Sequence, residues 1–520
     1  MTDGLLIKRH LLILLLLTVL IRGVMFISYP LGGQDESQGF YRYNVAQILA
    51  GDWQIGNLRY APGFPLFMAP VSALGDLFGR FDDRIELLFQ LTLASLIPFL
   101  LYDILRSRHS PRAAFVAAIL SCVEPFSLQW AHYYSPIWWI ALCLVSALWL
   151  LHHAERRRSW RLVCLAGLVT GLGILGRWNY APVALGLVCL LWWVARSDLR
   201  RWLRQSAIFS ASAASLVLLV HVTIQVPATG VWNLNCTAGV NLLETIQYAG
   251  LALDEANGPH SKRLLHLSSL EPLPSHKTAT GDYPLWFSET FHLWRIPGTW
   301  ATELERAEFT QQIAQDAAPY IVGPNIQKLV NWLFFYLGPC DVDHLLRAVY
   351  IETIFADPLP WSLNIPVNAW ELLQPPLTMG EFPDYTLPPT MALSYEEYGG
   401  RFGFWRAYGR YDHYTGQWVW RPGIEIFSWL WAPLNALRFL VFPALVWALF
   451  TRHRVYTAIG FLLLLYVFVL GAIDYPEQRI SAIVYPLGPV LVGGFLVTLW
   501  ERAQPSWQRL RTALTATRPD

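Results

Sequence analysis

Ten apolar runs, most of them near the length that crosses a bilayer, alternate with connections that are by turns rich and poor in arginine. They lie near residues 11–29, 85–105, 113–130, 137–151, 162–176, 182–195, 206–224, 433–450, 455–472 and 480–500. A spanning helix needs about 20 apolar residues, so the shorter runs must borrow flanking aromatic residues at the interface. Arg106, Arg108 and Arg112 cluster after the second run, and Arg156, Arg157, Arg158 and Arg161 after the fourth. Arg196, Arg200, Arg201 and Arg204 follow the sixth, Arg452 and Arg454 the eighth, and Arg502, Arg509, Arg511 and Arg518 fill the tail. With Lys8 and Arg9 at the N-terminus these are every second connection, as the positive-inside rule requires of cytoplasmic loops. The intervening connections are poor in basic residues, and Glu124–Pro136 has none. The first run resembles a signal peptide but lacks a small-residue cleavage site, so it is expected to stay as the first helix. Composition agrees: 14% of residues are charged, against roughly 25% in soluble proteins. The net charge of +1 points to no nucleic-acid partner.

These patterns predict an all-α polytopic membrane protein of about ten spanning helices, both ends cytoplasmic, with a mixed extracytoplasmic domain. Residues 1–224 form an N-terminal transmembrane module with a long first external loop at 30–84. Residues 225–422, rich in Pro, Gly, Trp and Tyr, form the extracytoplasmic domain, and residues 423–520 the last helices and a cytoplasmic tail. Cys122, Cys143, Cys164 and Cys189 fall inside apolar runs, where a thiol behaves as a small hydrophobe. Cys236 and Cys340 lie in the large external segment, and a bridge between them requires an oxidising compartment. Trp286, Trp294, Trp300, Trp405, Trp418 and Trp420 offer faces for stacking on sugar rings, or serve as interfacial anchors and core. Asn235-Cys236-Thr237 is a formal glycosylation sequon, a match short enough to arise by chance.

The first external loop carries the densest chemistry. Tyr41, Val45, Ile48 and Leu49 share one helical face and Gly51 is placed to stop the helix, which predicts an amphipathic helix along the membrane surface. Asp35-Glu36 precedes it at the mouth of the first spanning helix. Carboxylates there suit deprotonation of an attacking hydroxyl or amine; the alternative is that Asp35 caps the helix and favours its positive end. Arg22, Arg177 and Arg479 stand inside or at the external ends of apolar runs, where an arginine is costly unless it snorkels or pairs. Their fork of donors suits the phosphate of an anionic lipid.

Several segments resemble the GT-C superfamily of membrane glycosyltransferases, in the branch of protein O-mannosyltransferases and lipid A aminoarabinose transferases. The residues that carry the resemblance are Asp35, Glu36, Tyr41, Ala46 and Gly51; the turn Pro62-Gly63-Phe64-Pro65-Leu66, with Arg59 upstream; and Gly171-Leu172…Leu175-Gly176-Arg177. Ala238-Gly239-Val240-Asn241-Leu242, Thr302-Glu303-Leu304-Glu305 with the later Pro324, and Glu477-Gln478-Arg479-Ile480 with Pro486 complete the pattern. Where many members place a Glu at the start of the fourth helix, this chain has Ser135-Pro136. The resemblance implies an inverting glycosyltransferase with a polyprenyl-phosphate sugar donor and a glycan, lipid or protein acceptor. Asp35 would be the base, with Glu36 supporting it or helping to bind a divalent cation. Arg59, Arg177 and Arg479 would hold the donor phosphate, and Tyr41 and Asn241 would contact acceptor or substrate. Alternatives are a transporter or flippase of lipid-linked sugars, although inverted repeats and interrupted midplane helices are not visible, and a non-catalytic assembly subunit. The arginine-rich loops and the absence of a sorting motif fit a bacterial inner membrane with a periplasmic site.

Overall fold

The computed structural model describes residues 3–28, 36–53, 61–77, 82–132, 134–195, 198–236, 238–248, 251–268, 339–373, 410–412, 417–419, 437–473 and 484–516. Helix α1 (Asp3–Ser28) opens the chain. It buries a stripe at fourfold spacing, His10, Leu14, Thr18 and Arg22, and turns Leu5, Leu12, Leu16 and Leu20 outward, as a helix with one protein face and one lipid face must. The loop helix α2 (Glu36–Leu49) and the apolar α3 (Gly63–Leu77) follow.

Every expected apolar run contains a helix, and the differences have local causes. The second run divides into α4 (Asp82–Ala94) and α5 (Leu96–Arg106). Pro98 lacks the N–H that would bond Ala94, and Ser95 bonds back to the Leu91 carbonyl instead. The third divides into α6 (Pro111–Cys122), capped by Ser110, and α7 (Pro125–His132). Then come α8 (Ile137–Arg157), α9 (Trp160–Gly176), α10 (Ala181–Val194) and α11 (Leu199–Val220), the last capped by Asp198. A π turn at His221–Gln225 carries α11 into the short α12 (Val226–Thr229). Pro227 has no N–H for Thr223, and the wider turn accommodates the lost bond. Five helices are long and apolar enough to span by themselves, and five shorter apolar helices of 10–17 residues accompany them among the described residues. Length alone therefore does not establish the expected ten spans.

Small residues set the packing of this bundle. A Cβ on Gly167 would lie 2.3 Å from the Phe209 carbonyl oxygen, and one on Gly171 2.8 Å from that of Ala213. These glycines, four residues apart, let α9 and α11 approach closely, the usual solution where lipid removes the hydrophobic drive between helices.

Beyond residue 225, α13 (Ala238–Tyr248), α14 (Pro259–Ser268), α15 (Pro339–Ala356) and α16 (Pro358–Leu373) are described. The strands β1 (Arg410–Asp412) and β2 (Gln417–Val419) form an antiparallel hairpin. Leu243, Ile246, Leu264, Val342, Leu346 and Val349 make a second, smaller core. Cys236 and Cys340 are joined in a disulfide beside it. On α15, Glu352 caps the start of α14: it accepts from the His260 and Ser261 backbone N–H groups at 3.0 and 2.7 Å and from their side chains. Partial desolvation opposes ionisation, yet these bonds outweigh it and hold the carboxyl at about 2.

The C-terminal helices are α17 (Val441–Phe450), α18 (Arg454–Ile473) and α19 (Leu487–Ala516). Helix α16, inside a segment in which the sequence shows no span, packs on the outer end of α18. Asn368 donates to the Gly471 carbonyl at 3.0 Å, and Leu359, Leu363 and Val367 face outward on the opposite side. At the other end of α18, His109 bonds the Tyr456 hydroxyl at 2.9 Å and its ring lies 4.1 Å from that of His453. Two loops assigned to the cytoplasm from arginine content alone thus meet.

Candidate active site

One end of the bundle gathers side chains from α1, α2, α3, α4, α6, α7, α8 and α9. Tyr41, Val45 and Ile48 of α2 are buried, whereas Leu49 is 41% exposed. The helix therefore presses its stripe on α3 rather than resting it in lipid. Gly51, with φ of +83°, ends it as the sequence predicts: its N–H bonds Ile48 and that of Asp52 bonds Gln47, a glycine-closed C-terminus. Tyr41 meets Phe64 edge to face at 5.3 Å, and Phe64 meets Tyr134 and Trp138 at 5.4 and 6.2 Å.

Polar groups thread this aromatic cluster. The Arg42 guanidinium stands 4.5 Å over the Tyr134 ring and 3.3 Å from the buried Glu86 carboxylate, which also accepts from Ser72. One turn along α4, buried Gln90 accepts from the Trp138 indole at 3.1 Å. Deeper, Arg22 lies 7% exposed with Nη1 unpartnered. It lines a cavity of about 10 Å³ with Ser121, Ser127, Trp130 and Trp138, room for about one water. The buried Glu124 acts on it electrostatically, as an intramembrane guanidinium requires. Glu124 itself caps α7, accepting from the Ser127 N–H at 2.5 Å.

The turn before α3 meets the end of α9. A Cβ on Gly63 would stand 2.6 Å from both Cβ and the carbonyl oxygen of Leu175, so the first external loop rests directly against the helix end that carries Arg177. The backbone turns extended at Arg177 and re-enters a short 3₁₀ turn, Trp178–Tyr180. Tyr180 is fully buried and fills the space that Gly173 leaves. The half-buried Arg177 side chain has no ion pair among the described residues. Its backbone stands between α9 and the 3₁₀ turn.

Residues 61–224, the stretch that builds most of this cluster, match the family of dolichyl-phosphate-mannose-protein mannosyltransferases. The chain is also similar in solved structures to the oligosaccharyltransferase AglB of Archaeoglobus fulgidus, in complex with an inhibitory peptide and a dolichol-phosphate. That alignment has 15% identity and a TM-score of 0.43 over 98% of this chain and 52% of the other. ArnT from Cupriavidus metallidurans, bound to undecaprenyl phosphate, aligns at 13% identity and a TM-score of 0.33 over 92% of this chain and 77% of that one. The chain thus spans about half the length of the archaeal enzyme. No curated protein matches its sequence.

Of the residues singled out in the sequence, Tyr41 packs on Phe64, next to Gly63, and Gly63 rests on Leu175 in the helix end that carries Arg177. Glu36 is the first residue of α2 and is described in its backbone alone. Asp35, Arg59 and Arg479 lie outside the described residues, as do Trp286, Trp294, Trp300, Trp405, Trp420, Glu303, Glu305, Pro324 and Glu477. Asn241 sits apart on α13, where its carbonyl accepts from Thr245 at 2.8 Å. No group of three or more His, Cys, Asp or Glu side chains stands together as a metal site among the described residues. Sequence reasoning passed over Arg42, Glu86, Gln90 and Glu124. Glu86 and Gln90 carried a usable signal: polar residues four apart at the start of an apolar run, on the stripe continued by Ala94 and Leu101.

Proposed function

We propose that this chain is an inverting glycosyltransferase of the cell inner membrane. It moves a sugar from a polyprenyl-phosphate donor to an acceptor on the extracytoplasmic side. The carrying observation is the seating of Gly63 on Leu175, which brings the start of α3 against the helix end that carries Arg177. The family match over residues 61–224 supports the same reading.

In this reading Asp35 removes the proton from the acceptor nucleophile as it attacks the anomeric carbon. Glu36 supports Asp35 or helps to bind a divalent cation. Attack comes from the face opposite the phosphate, so the configuration inverts. The anomeric C–O bond breaks, its electron pair stays on the lipid phosphate, and Arg177, with Arg479 and Arg59, stabilises the added charge. Tyr41 contacts the acceptor.

Transfer of label from a radiolabelled polyprenyl-phosphate sugar to an acceptor by the purified chain tests this reading. Asp35→Asn should lower turnover by about 10²-fold or more. Undiminished turnover at normal expression would remove Asp35 from the mechanism, and movement of the donor across the membrane without bond cleavage would favour a transporter.

A further inference from the structure

A second cavity, of about 320 Å³, opens at the cytoplasmic end of the bundle, opposite the proposed catalytic site. Sites for small ligands start at roughly 300 Å³. Its mouth is basic. Arg108 from the loop after α5, and Arg452 and Arg454 from the loop before α18, line it, with Glu155 the one carboxylate on its wall. Arg108 pairs with Glu155 and donates through Nε to His152 Nδ1 at 2.9 Å. That bond leaves the His152 proton on Nε2, directed at the Ser107 hydroxyl 2.8 Å away, so the imidazole is neutral and anchors Arg108 in place. Arg452 and Arg454 are exposed and have no ion pair among the described residues. Two positive charges are therefore uncompensated at the rim.

Inward the lining changes character. Leu101, Leu148, Ile459 and Val490 form the walls. Leu148 lies seven residues from Glu155 along α8, about 10 Å of helix rise, so the apolar part runs well below the arginines. A soluble anion would use the rim and leave this shaft unfilled. An amphiphile with an anionic head uses both.

We propose that this cavity binds an anionic phospholipid of the cytoplasmic leaflet, its phosphate between Arg452, Arg454 and Arg108 and an acyl chain in the apolar shaft. The lipid would join α5, α8 and α18 at the end where His109 and Tyr456 already meet.

Native mass spectrometry and thermal unfolding of the detergent-purified full chain test the proposal, with phosphatidylglycerol, phosphatidylcholine and inorganic phosphate as separate probes. Phosphatidylglycerol alone should remain bound and raise the melting temperature. Each basic side chain at a lipid surface contributes about a fivefold gain, so Arg452→Ala/Arg454→Ala should bind about twentyfold more weakly. Ala458→Trp, which fills the shaft, should weaken binding without a change in charge. Arg200→Ala/Arg204→Ala, exposed on the same side away from the cavity, should bind as the parent does. Equal retention of phosphatidylcholine, equal protection by inorganic phosphate, or unchanged binding by Arg452→Ala/Arg454→Ala would each overturn the proposal. An equal loss in the Arg200/Arg204 control would overturn it too, because the attraction would then be diffuse. Should the Trp variant fail to fold, the charge variant on exposed positions still decides.

Discussion

Replacing Arg42 by Ala would take the guanidinium away from the Glu86 carboxylate, 4% exposed, which also accepts from Ser72. A buried charge that loses its counter-ion is costly, and the partly exposed guanidinium moderates the loss, so about 2 kcal/mol is expected. Thermal unfolding in detergent should show the single variant less stable than Arg42→Ala/Glu86→Gln, because the second change removes the charge left unpaired. The same accounting at Glu352 gives a pH dependence. Its folded pKa, about 2, lies below the ordinary 4.5, so its stabilisation is complete above about 4.5 and is lost as pH falls from there toward 2. At neutral pH Glu352→Gln should cost about 1–3 kcal/mol. The gap in melting temperature between parent and variant should close as the buffer is taken from pH 6 to pH 3; a constant gap would contradict the assignment.

Among the elements, Gly63 and Gly167 separate two uses of a small residue. On Gly167 a methyl group would strike the backbone of α11, and Gly167→Ala should destabilise by about 1–3 kcal/mol as the helices part. On Gly63 it would strike Leu175 beside Arg177. Gly63→Ala should therefore reduce sugar transfer more than its change in melting temperature accounts for, which parallel activity and unfolding measurements on both variants would show. The legible and illegible parts of the fold divide along similar lines. Helical periodicity found α2, and Gly51 ended it where expected, because both signals are local. Leu49 escaped because its exposure depends on where α3 lies, which no pattern within α2 encodes. Helix α16 was missed because Pro358, Pro360 and Pro366 break its apolar pattern, and its Asn368 makes sense only against Gly471 of α18. Arg177 was visible as a charge at the end of an apolar run. Glu86 and Glu124 were not read as site residues, since their counter-ions come from helices distant in sequence.

At the level of the whole chain, charge alternation predicts the topology, and the disulfide gives a way to test it. Cys236 and Cys340 are joined across 104 residues, and a bridge of that kind persists only in an oxidising compartment. The four remaining cysteines lie in the membrane module, free of disulfides, and the cytoplasmic arginine loops contain none. The expected topology places the second core on the side opposite the arginine-rich loops, with the Gly63–Leu175 junction, and an oxidised Cys236–Cys340 pair fits that side. Closing so long a loop restricts the unfolded chain and is worth about 2–5 kcal/mol. The strain should fall on the small core of α13, α14 and α15, which buries far less apolar surface than the bundle. Cys236→Ala/Cys340→Ala should thus unfold that core earlier while leaving the membrane helices assembled, seen as protease cleavage between 236 and 340 with the N-terminal module intact. In intact cells permeabilised only at the outer surface, a membrane-impermeant maleimide should label these two positions after reduction and not before. Labelling without reduction would remove the bridge, and labelling after reduction by a membrane-permeant maleimide alone would place the segment, and the proposed active site with it, on the wrong side of the membrane.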